Sequence, residues 1–416
     1  MNDLTNGSIA RNLLRTTGFM LVGMVFQTLY FLVDLYFVGR LGKSAVAAVS
    51  LSGNLMFLVL ALTQMLAVGT TALIAHATGR KDRDDARLIF NQSQVLSLAV
   101  GLVFFVVMMA LRGIGDFKPG MVIQSGTVVV NVVLAPALMF GWVSGRPLGV
   151  AGTAIASFVA VMAGVLALVV HVVRKRGYLQ FVRREWRPRL AMWARMLRIG
   201  LPAGAEFALM GVYMFVIYAI TRRFGAEAQA GFGIGLRVIQ AGFMPVVALG
   251  FAVGPVAGQN FGARLPERVR ATFRIGALMA TVAMVVLFVI CRVAPEALIK
   301  VFNKDPGVLA VGGEYLRIVA WNFIPSGIVF VSSSMFQALG NTIPPLASSF
   351  LRTSVLVIPA YLMSLADGFQ LHWIWYLSVG CVAFHALLNV ALLRREYRRK
   401  LTFAAAAPAA PLAAAE

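Results

Sequence analysis

The chain has only two cysteines in 416 residues, Cys291 and Cys381, and both lie inside apolar runs. Two isolated thiols supply neither a disulfide framework nor a metal cluster. Charge is scarce as well: Asp, Glu, Lys and Arg make up 13% of the chain, with 16 acids against 37 Lys and Arg. A soluble globule carries about a quarter charged residues. There is no Gly-x-x-x-x-Gly-Lys-Ser/Thr loop, no His-x-x-x-His pair, no Cys-x-x-Cys and no Gly-x-Ser-x-Gly elbow. ATP-driven transport and membrane-embedded hydrolysis therefore lack their usual residues, no cofactor is implied, and an enzyme is the least supported class.

Apolar residues are what the chain has, at 60%. Runs of about 20 residues recur with Gly and Pro inside them, the pattern of transmembrane helices rather than of a barrel's short alternating strands. The fold class is an all-α polytopic membrane protein. Spans are expected at 18–38, 46–75, 88–110, 120–142, 150–173, 199–221, 229–257, 272–294, 313–337, 345–366 and 372–393, eleven in all. The first follows Arg11 and Arg15, is too long for a signal-peptide core and reads as a retained span. A net charge of +21 would suggest nucleic acid in a soluble chain. Here it lies in short loops, where it marks the cytoplasmic side and contacts anionic lipid headgroups, and no nucleic-acid partner is expected.

Four parts follow: an N-terminal helical lobe (1–173), a basic cytoplasmic linker (174–198), a C-terminal lobe (199–400) and a disordered Ala/Pro tail (401–416). The lobes are repeats. Arg40-Leu41-Gly42 matches Arg223-Phe224-Gly225, and Gly79 to Arg87 matches Gly262 to Arg270, both at an offset of 183. Leu111 to Pro119 then pairs with Phe336 to Pro344 at an offset of 225, so the first copy is 42 residues short. That is about one span plus a loop. The basic loops at Arg80–Arg87 and Arg112/Lys118 should both be cytoplasmic, yet they flank one apolar run, 88–110. Either a helix has been lost from a twelve-helix parent, the reading the shortfall favours, or 88–110 does not cross. Same-order repeats are how many transporters are built, with the substrate path between the halves.

Asp34, in the outer part of the first span, is the leading functional candidate. A carboxylate at membrane depth must pair, hydrate or protonate, which lets one group exchange a proton for a cation; the structural alternative is a cap or a pair with Arg40. Glu206 stands at the corresponding entry of the second half, where stabilisation by a helix N-terminus competes with function. Asn131 and Thr153 offer neutral oxygens of the kind hard cations prefer, although interhelical hydrogen bonding explains each as well. Arg237 and Arg352 fall inside apolar stretches, where snorkelling towards the cytoplasm accounts for them better than a carboxylate partner. His76 and His385 read as helix-contact residues. The 19 methionines and 29 phenylalanines suit a plastic aromatic pocket, but membrane cores use them too.

Val33-Asp34 with Val38-Gly39-Arg40-Leu41-Gly42, Gly258 to Ala263, Leu111 to Asp116, Asn131-Val-Val-Leu, Gly149 to Ala154 and Gln337 to Asn341, in that spacing, resemble the multidrug and toxic compound extrusion (MATE) family, close to its bacterial DinF-like branch. The resemblance runs from Leu21 to Leu393. It implies two six-helix lobes in a V, alternating access, a bacterial inner-membrane location and a monomer. It also implies export of amphipathic, often cationic compounds in exchange for protons or sodium. Asp34 would be the N-lobe coupling acid, with Asn131 and Thr153 beside it as a sodium alternative. Three departures stand out. Ala135 replaces an acid that some members place four residues after the asparagine, which favours protons. Only Asn322 stands where C-lobe-coupled members carry a tenth-helix acid, and those members set their seventh-helix glutamate deeper than Glu206. The 42-residue shortfall removes most of helix four. Two other readings follow from the same residues: a flippase for lipid-linked precursors, which would want Arg237 and Arg352 facing the cleft, and an inactive helix-deleted remnant.

Overall fold

The computed structural model describes residues 3–39, 43–100, 110–142, 145–175 and 177–402; the side chains of 30–36, 38–39, 43–60 and 99–100 lie outside that description. The Arg40-Leu41-Gly42 motif, residues 101–109 and the Ala/Pro tail from 403 onwards fall outside the described residues. Every regular element among the described residues is helical: α1 (Ile9–Gly39), α2 (Lys43–Gly79), α3 (Arg83–Val100), α4 (Phe117–Met139), α5 (Gly149–Lys175), α6 (Leu190–Thr221), α7 (Gly225–Gly262), α8 (Pro266–Val293), α9 (Pro295–Lys300), α10 (Pro306–Val319), α11 (Phe323–Ala338), α12 (Ile343–Met363) and α13 (His372–Lys400). Seven described stretches are long and apolar enough to cross a membrane, two of which join neighbouring helices: Leu190–Gly262 and Pro306–Ala338. The run expected at 313–337 is broken by a 3₁₀ turn at Ala320–Asn322, which divides α10 from α11.

Local chemistry sets the helix ends. Asp305 caps α10, its Oδ1 accepting from the amides of Gly307 and Val308 at 2.9 and 3.1 Å, which satisfies donors the helix start leaves open. Prolines occupy the first turns of α8, α9, α10 and α12, where a missing N–H costs nothing.

One end of the bundle is basic and closed. It gathers the ends of α2, α5, α7, α11 and α13, the start of α6 and the 178–189 part of the linker. The lobes meet there at backbone range. A Cβ on Gly79 would lie 2.0 Å from the Gln259 carbonyl oxygen, and one on Gly262 would lie 2.2 Å from that of His76. Further up, a Cβ on Gly200 would lie 1.8 Å from the Met65 carbonyl oxygen, a helix-to-helix approach that glycine alone permits.

The repeat survives in three dimensions at both offsets. Lys81 and Arg264 share the left-handed conformation, at φ 60° and 58°. Gly115 and Gly340 do as well, at φ 75° and 67°, each ending a helical turn in the same hydrogen-bond pattern. Two contacts between lobes are crossed copies of one another. His76 Nε2 donates to the Ala338 carbonyl, and Gln259 Nε2 donates to the Gly113 carbonyl at 3.0 Å. Residues 76 and 259 are 183 apart, and 113 and 338 are 225 apart.

The segment expected to span at 88–110 is where structure and expectation part. α3 climbs beside α2, with Leu96 packing on Leu66, about 20 Å from the α2 end at Gly79 by helical rise. Yet Ala110, Leu111 and Ile114 share a core cluster with Ala86, Phe90 and Ile74, and a Cβ on Gly113 would meet Ile74 at 2.8 Å. Both ends of 83–113 therefore sit at the basic end. Among the described residues, ten of the eleven expected runs correspond to helices running through the bundle, and the eleventh belongs to a stretch whose two ends lie on the same side. The cause is polarity. Asn91, Gln92, Ser93, Gln94 and Ser97 are all buried on α3, and they need partners that lipid cannot supply. The linker supplies them for Asn91 and Gln92, while Ser93 and Ser97 donate to carbonyls of their own helix. Asn91 Nδ2 donates to the Gln180 carbonyl and Glu185 Oε2 at 2.7 and 2.9 Å, and its Oδ1 accepts from Trp186 Nε1 at 2.9 Å. The Arg189 amide donates to Gln92 Oε1 at 2.8 Å. The linker is shorter than expected, because α6 already begins at Leu190.

Candidate functional site

Glu206 anchors a polar cluster inside the C-terminal lobe. It lies sixteen residues into α6, more than four turns from the helix start, so the expected stabilisation by a helix N-terminus does not apply. That reading set the span to begin at 199, whereas the helix begins at Leu190 and continues through Pro202. Glu206 Oε1 accepts from Ser349 Oγ of α12 at 3.0 Å and from Ser333 Oγ of α11 at 3.2 Å. His385 of α13, 4% exposed, brings Nε2 to 3.3 Å from Ser348 Oγ and 3.5 Å from Ser349 Oγ. Ser348 in turn donates to Asn389 Oδ1 at 2.6 Å. A chain of hydrogen-bonding groups thus runs from the carboxylate to a buried imidazole and amide, contributed by four helices.

A second group adjoins it. The Arg352 guanidinium stands 5.6 Å from the centroid of the Tyr213 ring. Arg352 is thus half-buried over an aromatic ring of α6. Nearby, Asn322 Nδ2 donates to Ser378 Oγ of α13 at 3.0 Å. The buried Asn322 Oδ1 accepts no hydrogen bond among the described residues, so this oxygen stays available to a water or a cation.

Arg237 is exposed on α7, twelve residues from that helix's outer start at Gly225 and twenty-five from its basic end. That is about 38 Å from the basic end by helical rise, beyond the reach of a side chain. Snorkelling towards the cytoplasm is excluded for it.

In the N-terminal lobe Asn131 is buried on α4, and its Nδ2 donates to Ser157 Oγ of α5 at 3.4 Å. Thr153, one turn before Ser157 on the same α5 face, spends its hydroxyl proton on its own helix at Val150, 2.7 Å away. Asp34 lies in α1, but its side chain is outside the described residues, so the expected grouping of Asp34, Asn131 and Thr153 gains no geometry.

Sequence reasoning missed one residue altogether. Arg112 was expected in a cytoplasmic loop with Lys118. Instead its guanidinium lies 5.7 Å from the Phe251 ring centroid, across the lobe boundary. It lines two cavities, of about 40 and 30 Å³, just outward of the His76 and Gln259 contacts. The only sequence signal was its alignment with Gln337, which lines the first cavity as well.

The family profile described as MatE matches residues 20–111 and 202–362, the first match ending where the N-terminal copy falls short. Curated relatives include the probable multidrug resistance protein YoeA of Bacillus subtilis, 25% identical over 90% of each chain. The multidrug export protein MepA of Staphylococcus haemolyticus is 24% identical over 90% of this chain and 92% of its own. Among solved structures, a MOP superfamily transporter from Pyrococcus furiosus, described as having a binding pocket of reverse polarity, superposes with a TM-score of 0.88 at 21% identity over 97% of this chain and 98% of that one. A MATE family transporter in an outward-facing conformation gives 0.87 at 22% identity over the same shares.

Proposed function

Because this chain belongs to the MatE family and is a membrane transporter rather than an enzyme, we propose that it is a secondary active antiporter. It exports amphipathic, often cationic small molecules across the bacterial inner membrane as a monomer, in exchange for protons. The observation that carries the reading is the Glu206 cluster. An ionisable carboxylate inside the bundle, held by two serine hydroxyls beside a buried histidine, can take up and give off a proton without changing its packing. Hydroxyl and amide oxygens also suit sodium, so sodium remains the competing ion. Asp34 would perform the same exchange in the N-terminal lobe. Lobes joined by crossed contacts at one end suit alternating access, since breaking those contacts would open the cleft to the basic side. The return of 83–113 to its own side removes the topological objection to a working transporter. It speaks against an inactive remnant.

The test is dye efflux in everted vesicles under separate proton and sodium gradients, comparing the intact chain with Asp34→Asn and Glu206→Gln. Proton-driven movement lost in either variant supports the reading, and movement driven by sodium alone replaces the ion. No gradient-driven movement of several cationic dyes by well-inserted protein rejects export.

A further inference from the structure

We propose that residues 3–8, the strap that precedes α1, are a latch: seated, they hold the two lobes shut at the basic end, and they leave their seat when the cleft opens to that side. The strap leads into the N-terminal lobe but is seated on the C-terminal one. The Leu4 amide donates to Gln259 Oε1 at 3.1 Å, and the Leu4 carbonyl accepts from Asn260 Nδ2 at 3.2 Å, both on α7. Arg268 of α8 donates from Nη2 to the Gly7 carbonyl at 3.0 Å, while its Nε donates to Asn260 Oδ1 at 2.8 Å. The Leu4 side chain is 2% exposed and shares a buried cluster with Val256 of α7 and Val269 of α8. The strap is also preformed. Asp3 accepts from the Thr5 amide at 2.9 Å and from Asn6 Nδ2 at 2.8 Å, and Asn12 Nδ2 of α1 donates to the Asn6 carbonyl at 3.0 Å. A turn already ordered loses little entropy when it docks.

Gln259 ties the seat to closure. Its Nε2 donates to the Gly113 carbonyl of the N-terminal lobe while its Oε1 accepts from the Leu4 amide. A carbonyl only accepts and an amide N–H only donates, so one orientation of the carboxamide serves both partners. With the strap seated, the carboxamide is fixed with its donors towards Gly113; with the lobes closed, its oxygen is fixed towards Leu4. Each contact favours the other, which makes strap docking and lobe closure coupled equilibria. Asp3 adds a second link, because the charge of Lys81, in the turn between α2 and α3, acts on its carboxylate. α1 packs on α4 of its own lobe and on α7 of the other. It is the helix that parting lobes contest, and its strap is the grip that yields when it goes with α4. The repeat makes the device one-sided. The position equivalent to Leu4 is Arg187, whose carbonyl accepts from Gln92, so the linker is seated on α3 rather than on the residue that makes the crossed contact. That release accompanies transport rests on the export reading; that the seated strap favours the closed arrangement does not.

The experiment reads two distances by double electron–electron resonance on purified protein in nanodiscs, and it needs no transport, which separates its failure from a failure of export. Labels on Ser8→Cys and Arg395→Cys follow the strap against the C-terminal lobe; labels on Asp84→Cys and Arg395→Cys follow lobe against lobe. All three positions are exposed, and the natural Cys291 and Cys381 are buried. Leu4→Asp would place a charge in an apolar seat, and Arg268→Met removes the cation that holds the strap. Each should lengthen the strap distance and lower the closed-to-open ratio by about ten- to a hundred-fold, the range of hydrogen bonds that include a charged donor. Leu4→Met keeps the amide donor and an apolar side chain, and should leave both distances as they are. One variant lies in the strap and the other in its seat, so agreement between them separates unlatching from a local folding defect. A strap that comes free while the lobe distances stay those of the intact chain overturns the proposal, as does a strap that remains seated in both variants.

Discussion

A single methyl group at Gly262 would test how the lobes are held together at the basic end. Its Cβ would stand 2.2 Å from the His76 carbonyl oxygen, where ordinary contact begins at 3.4 Å, and the nearest atoms are backbone that cannot swing aside. The lobes must part by more than an ångström. Overpacking of this kind costs about 1–3 kcal/mol, and the cost falls only on the closed arrangement. Replacing a helical glycine also favours helix by about 1 kcal/mol, but that gain is common to closed and open states and cancels. Gly262→Ala should therefore lower the closed-to-open ratio by about 5- to 150-fold. Gly79→Ala should do the same from the other side, since its Cβ would stand 2.0 Å from the Gln259 oxygen. Because both act on one interface, the double variant should cost less than the sum. Spin labels on Asp84→Cys and Glu267→Cys report the opening. These exposed positions are equivalents across the repeat, and the natural cysteines Cys291 and Cys381 are buried. A new, longer distance population in each variant is expected. An unchanged distance distribution in both would refute the argument that the glycines set the closure.

Other outcomes follow from the same contacts. His76→Gln places at one contact the residue that already serves at the other, so the label distances should stay closed, whereas His76→Leu leaves the Ala338 carbonyl without its donor and should shift the balance by about 1–3 kcal/mol towards open. Asn91→Leu removes the bonds to Gln180, Glu185, Val182 and Trp186; a loss of about 2 kcal/mol or more should appear as a lower melting temperature and faster tryptic cleavage between Arg183 and Arg189. At the N-terminal turn, burial pushes the Asp3 carboxyl up, but hydrogen bonds from Thr5 and Asn6 and the charge of Lys81 outweigh it and leave it below its ordinary value of 3.8. A lowered acid stabilises above its unfolded value and loses that stabilisation as pH falls through its folded one. Hydrogen exchange at Thr5 should therefore show constant protection across neutral and mildly acidic pH and lose it only in strong acid.

Much of the fold was legible because length and polarity decide it. Nine of the eleven expected runs correspond to helices that pass through the bundle as single rods, and a tenth, 313–337, became α10 and α11. The eleventh, 88–110, was misread because an apolar run says nothing of where its chain returns, and the hydrogen-bonding demand of Asn91 and Gln92 was visible only once the linker lay against them. Arg112 was misplaced by counting positive charge as loop charge, a rule that holds only where the charge faces water. Glu206 was found, but its depth was hidden because residues 190–198, the first turns of its helix, were counted with the basic linker. The serines and His385 that surround it come from α11, α12 and α13, more than a hundred residues away, and no local pattern connects them.

The stretch from Arg83 to Gly113 leaves the basic end and comes back to it, so it adds nothing to the count of crossings. Residues could be gained or lost within it without turning the second half of the protein upside down. A repeat unit that sheds one complete crossing inverts everything downstream, and the basic loops would then oppose insertion. One that sheds length from a returning stretch keeps every later helix facing as before. The uneven halves of this chain are compatible with a shared orientation for that reason, and a deletion of unequal parity would not have been.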